Sequence, residues 1–181
     1  MSQKKVSNSE EMTFWEHLDE LRKVLFRSAI LIVVLMAGIF AAKDFVFDKV
    51  VLAPISSDFL LYRLIDKILV YMGGAPLSPF KLELINIDLS AQFFLHISTT
   101  FYFALVISTP FILYQLWLFI KPALYENEKR AAKGAFSFAA ILFFIGVLVG
   151  YYLIFPLTLR FLGTYQVSSE VVNQISLQSY I

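Results

Sequence analysis

Two groups of carboxylates lie beside long apolar stretches of this sequence, and their position suggests a binding chemistry. Glu16, Asp19 and Glu20 precede the first stretch, whereas Glu126 and Glu128 follow the second. Acids this close to lysines and arginines most often form solvated ion pairs that add little stability. A carboxylate at a membrane interface, where water is partly excluded, can also bind a guanidinium group through two parallel hydrogen bonds. The pattern therefore permits a site for a cationic peptide without requiring one.

The sequence has none of the common motifs of enzymes and metal sites. It contains no cysteine, no paired-histidine metal motif, no nucleophile elbow and no phosphate-binding glycine loop. The two histidines, His17 and His96, are predicted to lie on opposite sides of a membrane, and we expect His96 to face other helices or the outer interface. A net charge of +1 gives no indication of a nucleic-acid partner. We therefore predict no catalytic residue, no metal and no cofactor.

Three long uncharged stretches must position these side chains, and they decide the fold class. They cover residues 28–42, 89–120 and 134–159. Only 16% of the residues are charged, whereas an average soluble domain has about 25%. Membrane helices satisfy their own backbone hydrogen bonds, so a bilayer accommodates such stretches more readily than a soluble core. We predict an all-α, polytopic membrane protein with spans at about 25–43, 92–118 and 134–158.

Lysines and arginines predict the orientation of these spans. Cations are concentrated before the first span and in the predicted inner loop 119–133, whereas acids outnumber them in the outer segment 44–88. Only Arg160 follows the third span. Because cytoplasmic loops carry the excess of Lys and Arg, we predict that the N-terminus and the loop 119–133 are cytoplasmic.

Shorter features surround the spans. Residues 1–24 predict an amphipathic cytoplasmic helix, with Thr13 and Glu16 at capping-box spacing, that runs directly into the first span. Residues 59–72 predict a second amphipathic helix, which lies on the outer membrane surface. Pro110 and Pro156 interrupt the second and third spans, and ordinary helix shaping is slightly favoured over a bent scaffold with a concave face.

Several longer motifs connect these features with one known family. HLDELRK at residues 17–23 resembles the HLxELR signature of the TatC family, the large membrane subunit of the twin-arginine protein translocase. PFILYQLWLFIKPALY at 110–125 and EKR at 128–130 resemble the exit of that family's second span. LAP at 52–54, GYY at 150–152 and FPL at 155–157 are also similar to it. Each motif alone is weak, but the ordered set is specific.

The resemblance implies a larger fold and a receptor function. TatC-like proteins have six spans in a concave, glove-like arrangement, so residues 1–181 are interpreted as one TatC-like membrane domain truncated at its C-terminus, with 159–181 leading to a fourth span. The implied protein lies in the bacterial inner membrane and binds twin-arginine signal peptides of folded cargo at the cytoplasmic face. It would assemble into an oligomeric complex with single-span subunits of the TatA and TatB kinds, in contact with membrane lipid. The proton-motive force would drive export without ATP.

The motif match also implies residue roles. Glu20 and Glu128 would receive the paired arginines, and Arg22, Phe119 and Tyr125 would shape the site. The positions matched to scaffold or coupling roles are His17, Leu21, Pro54, Pro110, Gln115, Trp117, Pro122, Tyr151 and Pro156.

Three other functions are compatible with a membrane protein of this kind. A small-solute transporter or channel component is the main alternative, but it usually carries ionisable residues at membrane depth, which these spans lack. A membrane-embedded enzyme would need convergent polar residues within the bilayer. A scaffold without a receptor function predicts that the cytoplasmic carboxylates can be replaced without loss of export.

Overall fold

Helices form most of the architecture. The computed structural model describes residues 14–77, 84–88, 90–165 and 174–180, so Thr13 of the predicted capping box lies outside the described residues. The regular helices and strands are α1 (Phe14–Ala41), α2 (Lys43–Val46), α3 (Leu60–Tyr71), β1 (Leu84–Ile85), α4 (Ala91–Ile120), α5 (Glu126–Val149), α6 (Phe155–Thr164), β2 (Ile175–Ser176) and α7 (Leu177–Tyr180). The turns between them are π-helical at Phe47–Val51 and Gly150–Ile154, and 3-10 helical at Ala53–Ile55 and Lys121–Ala123.

Three helical segments are long and apolar enough to cross a membrane, which confirms the predicted fold class. They are Trp15–Ala41, Ala91–Ala123 and Glu126–Thr164. The third is continuous because α5 passes through the π-helical turn Gly150–Ile154 into α6. Pro156 follows this π-helical turn, and the irregular hydrogen bonding there accommodates a residue that has no backbone N–H. The chain is therefore a polytopic helical membrane protein.

Two of the long helices extend beyond the apolar stretches that indicated them. α1 is one helix from Phe14 to Ala41, so the predicted N-terminal helix and the first span are continuous over the described residues. α5 begins at Glu126, so only residues 121–125 separate it from α4, whereas the predicted inner loop covered 119–133. Glu, Lys, Arg and Ala are good helix formers, so the charges that end a hydropathic stretch do not end the helix.

α1 and α4 pack against each other in antiparallel directions. His17 near the start of α1 stacks on Phe119 near the end of α4, and Phe40 near the end of α1 stacks on His96 near the start of α4. Between these two ring pairs, α4 has a buried stripe of small side chains formed by Thr100, Ala104 and Ser108. Small residues allow helix backbones to approach closely within a membrane, where apolar burial alone does not drive association.

Tyrosine hydroxyls fasten the irregular segment that follows the first span. The Tyr62 hydroxyl donates to the Pro156 carbonyl at 2.7 Å. Tyr151 donates to the carbonyl of Val50 at 2.7 Å, and Tyr180 donates to that of Val51 at 2.6 Å. Phe59 and Tyr62 form the buried cluster of this region. The segment is thereby held against the third span and against α7.

Helix α3 and a short strand pair complete this end of the molecule. The predicted helix at 59–72 is present as α3, and its apolar residues Leu64 and Ile68 are exposed. The chain leaves α3 through Gly73, whose φ of 80° is accessible to glycine without strain. β1 and β2 then pair in parallel, with Leu84 opposite Ile175, a ladder that the sequence did not predict.

Candidate functional site

Both predicted carboxylates belong to one end of the helical unit. The rings of His17 and Phe119 stack with centroids 4.2 Å apart and planes inclined by 23°. Glu20 lies one turn after His17 in α1, and Glu128 lies in the first turn of α5, which follows α4 after residues 121–125. We call this region, residues 15–23 and 119–130, the carboxylate end.

Glu20 is accessible and takes part in a surface ion pair. Its Oε1 accepts a hydrogen bond from Nζ of Lys23 at 2.6 Å, and the two side chains are 42% and 53% exposed. Such exposed pairs three residues apart are weak, because solvent screens them and both side chains lose rotamer freedom. A guanidinium group offers two parallel hydrogen bonds where the lysine offers one, so it can displace Lys23.

Glu128 has a bond to the start of its own helix. Its Oε2 accepts the backbone N–H of Tyr125 at 3.2 Å, which is the glutamate half of a capping box. The contact limits the directions that the carboxylate can take, and Glu128 remains exposed. Its Oε1 has no hydrogen bond among the residues that the structure describes. Oε2 of Glu128 therefore caps α5, whereas Oε1 is available to a ligand.

The remaining residues predicted to shape the site differ in their surroundings. The Arg22 guanidinium lies 5.5 Å from the centroid of the Phe26 ring, a cation–π contact within α1. The Tyr125 side chain is 76% exposed beside Glu128. Phe119 is half-buried under His17, and Pro122 is exposed in the 3-10 turn that follows α4.

The other predicted scaffold residues lie in α1, along α4 or at the opposite end of the helices. Leu21 is half-buried, and Gln115 is buried with its Oε1 lacking any hydrogen-bond partner within the described part of the chain. The Trp117 ring is 5.9 Å from that of Phe136 in α5. Pro110 is exposed in the middle of α4. Pro54, Tyr151 and Pro156 are not part of the carboxylate end, and they lie together in the region fastened by the tyrosine hydroxyls.

Two residues, Tyr62 and Tyr180, have structural roles that the sequence did not reveal. Tyr62 is only 1% exposed, and burial raises its pKa, although Arg160 lies 5.8 Å from its ring centroid and opposes this shift. Burial also raises the pKa of Tyr180. The expectation that His96 faces another helix is confirmed by Phe40, whose ring lies 4.0 Å away, and the Nε2 of His96 is buried without a partner in the described segments.

No metal chemistry is indicated at the carboxylate end. Within residues 14–77, 84–88, 90–165 and 174–180, no three histidines, aspartates or glutamates lie together in a way that could hold a metal ion. The available chemistry is therefore that of exposed carboxylates beside aromatic rings, which suits the binding of organic cations.

Comparisons with known proteins agree with the sequence motifs. The family model described as Sec-independent protein translocase protein (TatC) matches residues 16–181. The chain is similar to the Sec-independent protein translocase protein TatC of Blattabacterium sp. subsp. Periplaneta americana, with 34% identity over 94% of this chain and 66% of the relative. It is also similar to TatC of Escherichia coli K12, with 32% identity over 88% of this chain and 56% of the relative.

A third relative shows a similar level of identity. The Sec-independent protein translocase protein TatCy of Bacillus subtilis is 29% identical over 91% of this chain and 56% of its own length. The chain thus spans between 56% and 66% of the length of these three curated relatives. No solved structure matches the chain.

Proposed function

This chain belongs to the TatC family of Sec-independent protein translocase proteins, and we propose that it acts as the receptor and core subunit of a twin-arginine translocase. Its relatives are named as translocase components, a transport role and not a catalytic one. We propose that it binds the twin-arginine signal peptides of folded cargo proteins. Family membership argues against the alternative of a small-solute transporter.

The observation that carries the proposal is the position of Glu20 and Glu128 at one end of the helices. The stacking of His17 on Phe119 fixes the start of α1 beside the end of α4, and α5 begins immediately after residues 121–125. Glu20 in α1 and Glu128 in α5 are both accessible, and α4 contacts both helices, so the two carboxylates would receive the two guanidinium groups of adjacent arginines. A pair of lysines keeps the charge but loses the bidentate geometry, so we expect weaker binding of a twin-lysine peptide.

The proposed location follows from the charges. Residues 4–27 and 121–133, around the carboxylate end, carry nine of the fifteen lysines and arginines, so the positive-inside rule predicts that this end faces the cytoplasm of a bacterial inner membrane. A signal peptide would arrive from that side, and its apolar segment would lie along the helices. Residues 1–181 would form one membrane domain, which recruits single-span subunits of the TatA and TatB kinds. The proton-motive force would then drive transport.

Peptide binding to glutamine and alanine variants tests this site. The protein is reconstituted in lipid nanodiscs, and the anisotropy of a labelled twin-arginine peptide is measured. We expect Glu20→Gln and Glu128→Gln each to weaken binding by about tenfold, because a charge-assisted pair becomes a neutral contact. Glu126→Gln is the matched control, since Glu126 is 89% exposed in the same turn as Glu128 and is bound to Lys129.

The capping bond of Glu128 needs a separate control for helix stability. Glutamine can still accept the Tyr125 N–H, whereas alanine cannot. Glu128→Gln should therefore retain the melting temperature and lose affinity, whereas Glu128→Ala should lower both. Unchanged affinity of Glu20→Gln and Glu128→Gln in folded protein would contradict the proposed site.

A further inference from the structure

A groove between α4 and α5 has a charged end and an apolar length. Its volume is about 360 Å³. Its lining includes Tyr114, Trp117, Lys121, Lys133, Phe136 and Ala140. Lys121 and Lys133 lie towards the carboxylate end, and Pro110 and Ala140 mark the other end. At 1.5 Å per helical residue, the groove follows the helices for roughly 10–16 Å.

Neither lysine of this groove forms a salt bridge within the described part of the chain, although Lys121 attracts the Glu126 carboxylate from a longer distance. The salt bridges at this end of the described chain join Glu20 to Lys23 and Glu126 to Lys129. The acid that follows the connection, Glu126, is therefore already held by another lysine. Lys121 and Lys133 are both exposed, so two ammonium groups from neighbouring helices are available to one anion.

Aromatic side chains lie immediately beyond the lysines. The Trp117 and Phe136 rings have centroids 5.9 Å apart, which joins the two walls of the groove. Tyr114 lies one turn earlier in α4 and is 56% exposed. Tryptophan and tyrosine favour the headgroup level of a bilayer, where an apolar ring can lie below a polar layer. The order of cation, aromatic ring and apolar wall is the order of phosphate, glycerol and acyl chain in a phospholipid.

We propose that this groove binds one anionic phospholipid of the membrane, with its phosphate between Lys121 and Lys133 and an acyl chain along Trp117 and Phe136. Basic pockets between membrane helices are suited to anionic headgroups. A soluble anion would occupy the charged end alone and leave the apolar length empty, which favours a lipid. With the carboxylate end facing the cytoplasm, this lipid would belong to the cytoplasmic leaflet, and only that assignment rests on the proposed function.

Tryptophan fluorescence can report occupancy of the groove. The chain has two tryptophans, so Trp15→Phe leaves Trp117 as the sole tryptophan. The protein is reconstituted in phosphatidylcholine vesicles that contain a small fraction of one brominated lipid. This lipid is either phosphatidylglycerol or phosphatidylcholine, and its bromine atoms are on the acyl carbons nearest the headgroup. We expect brominated phosphatidylglycerol to quench Trp117 at a lower fraction than brominated phosphatidylcholine. Near-surface lysines contribute about a fivefold preference each.

Paired variants distinguish the groove from the general surface charge. Lys121→Gln with Lys133→Gln should remove the preference for phosphatidylglycerol, whereas Lys129→Gln with Arg130→Gln, which removes the same charge from the same end, should retain it. Ala140→Phe should reduce quenching by both lipids, because it fills the apolar length.

Three outcomes would overturn the proposal. The first is equal quenching of Trp117 by the two brominated lipids. The second is an unchanged preference for phosphatidylglycerol in the Lys121→Gln and Lys133→Gln variant. The third is loss of that preference in millimolar inorganic phosphate, which would indicate that the groove binds a soluble anion. The assay contains no signal peptide, so its failure would leave the proposed receptor function untouched, and failure of the peptide assay would leave this one unaffected.

Discussion

The imidazole of His17 lies parallel to the ring of Phe119, with an inclination of 23° and 4.2 Å between the centroids. The two residues are at opposite ends of the sequence of the first two spans, and their contact sets the position of α1 along α4. Glu20 follows His17 by three residues. The histidine of the HLDELR motif therefore contributes to packing, and it orients a helix turn that carries a carboxylate.

Replacing His17 should loosen the start of α1. We expect His17→Ala to lower stability by about 0.5–1.5 kcal/mol, the typical contribution of an aromatic pair, and to weaken peptide binding. His17→Phe should preserve both properties, because the stacked geometry persists. Thermal unfolding in detergent and peptide anisotropy measure the two effects. Leu18→Ala serves as the control on the exposed side of the same turn, and a His17→Ala protein that behaves like it would contradict the role of the stack.

Tyr62 should contribute more to stability than an exposed tyrosine of the same helix. Its hydroxyl donates to the Pro156 carbonyl at 2.7 Å, and the side chain is 1% exposed. Tyr62→Phe leaves that carbonyl without its donor, so we expect a loss of about 1–3 kcal/mol. Tyr71→Phe is the matched control, since Tyr71 ends the same helix and is 92% exposed. Equal melting temperatures for the two variants would show that the bond contributes nothing.

The sequence predicts helices better than it predicts their contacts. Apolar stretches identified the helices that contain Glu20 and Glu128, because hydropathy is a local property. The register between α1 and α4 depends on ring pairs such as His17 with Phe119, and no local pattern specifies which residues meet. No local sequence pattern predicted the structural role of Tyr62, because its hydrogen-bond partner Pro156 is 94 residues away.

The capping box of α5 illustrates a second limit of prediction from the sequence. The spacing between Tyr125 and Glu128 is that of a capping box, but tyrosine is not among the usual N-cap residues, so the pattern was not recognisable. The helix start at Glu126 was not predicted either, because the charges of residues 121–133 end the apolar stretch but do not end the helix.

Stability should fall at alkaline pH because of Tyr62 and Tyr180. Burial raises the pKa of both phenols above the ordinary tyrosine value of about 10, so the folded state favours the neutral form. The contribution is complete below the unfolded pKa. It is lost as pH rises above about 10, where the unfolded phenols ionise first. Melting temperatures across this range should decline less steeply in Tyr62→Phe with Tyr180→Phe. An identical slope in wild type and variant would exclude these two groups as the cause.

Lys23 should compete with the signal peptide for Glu20. Its Nζ lies 2.6 Å from Oε1 of Glu20, in the place where an arginine of the peptide would bind. Lys23→Gln should therefore strengthen peptide binding by about twofold, since an exposed pair is weak and little is lost when it breaks. Lys129→Gln, which releases Glu126 in the same way, should leave the affinity unchanged.

A double variant isolates the cause of that gain. In a Glu20→Gln protein the lysine has no carboxylate to occupy, so adding Lys23→Gln should bring no further increase in affinity. The same gain in both backgrounds would mean that Lys23 acts by general repulsion of the cationic peptide. A gain confined to the protein with Glu20 would mean that the lysine holds the carboxylate until an arginine pair replaces it.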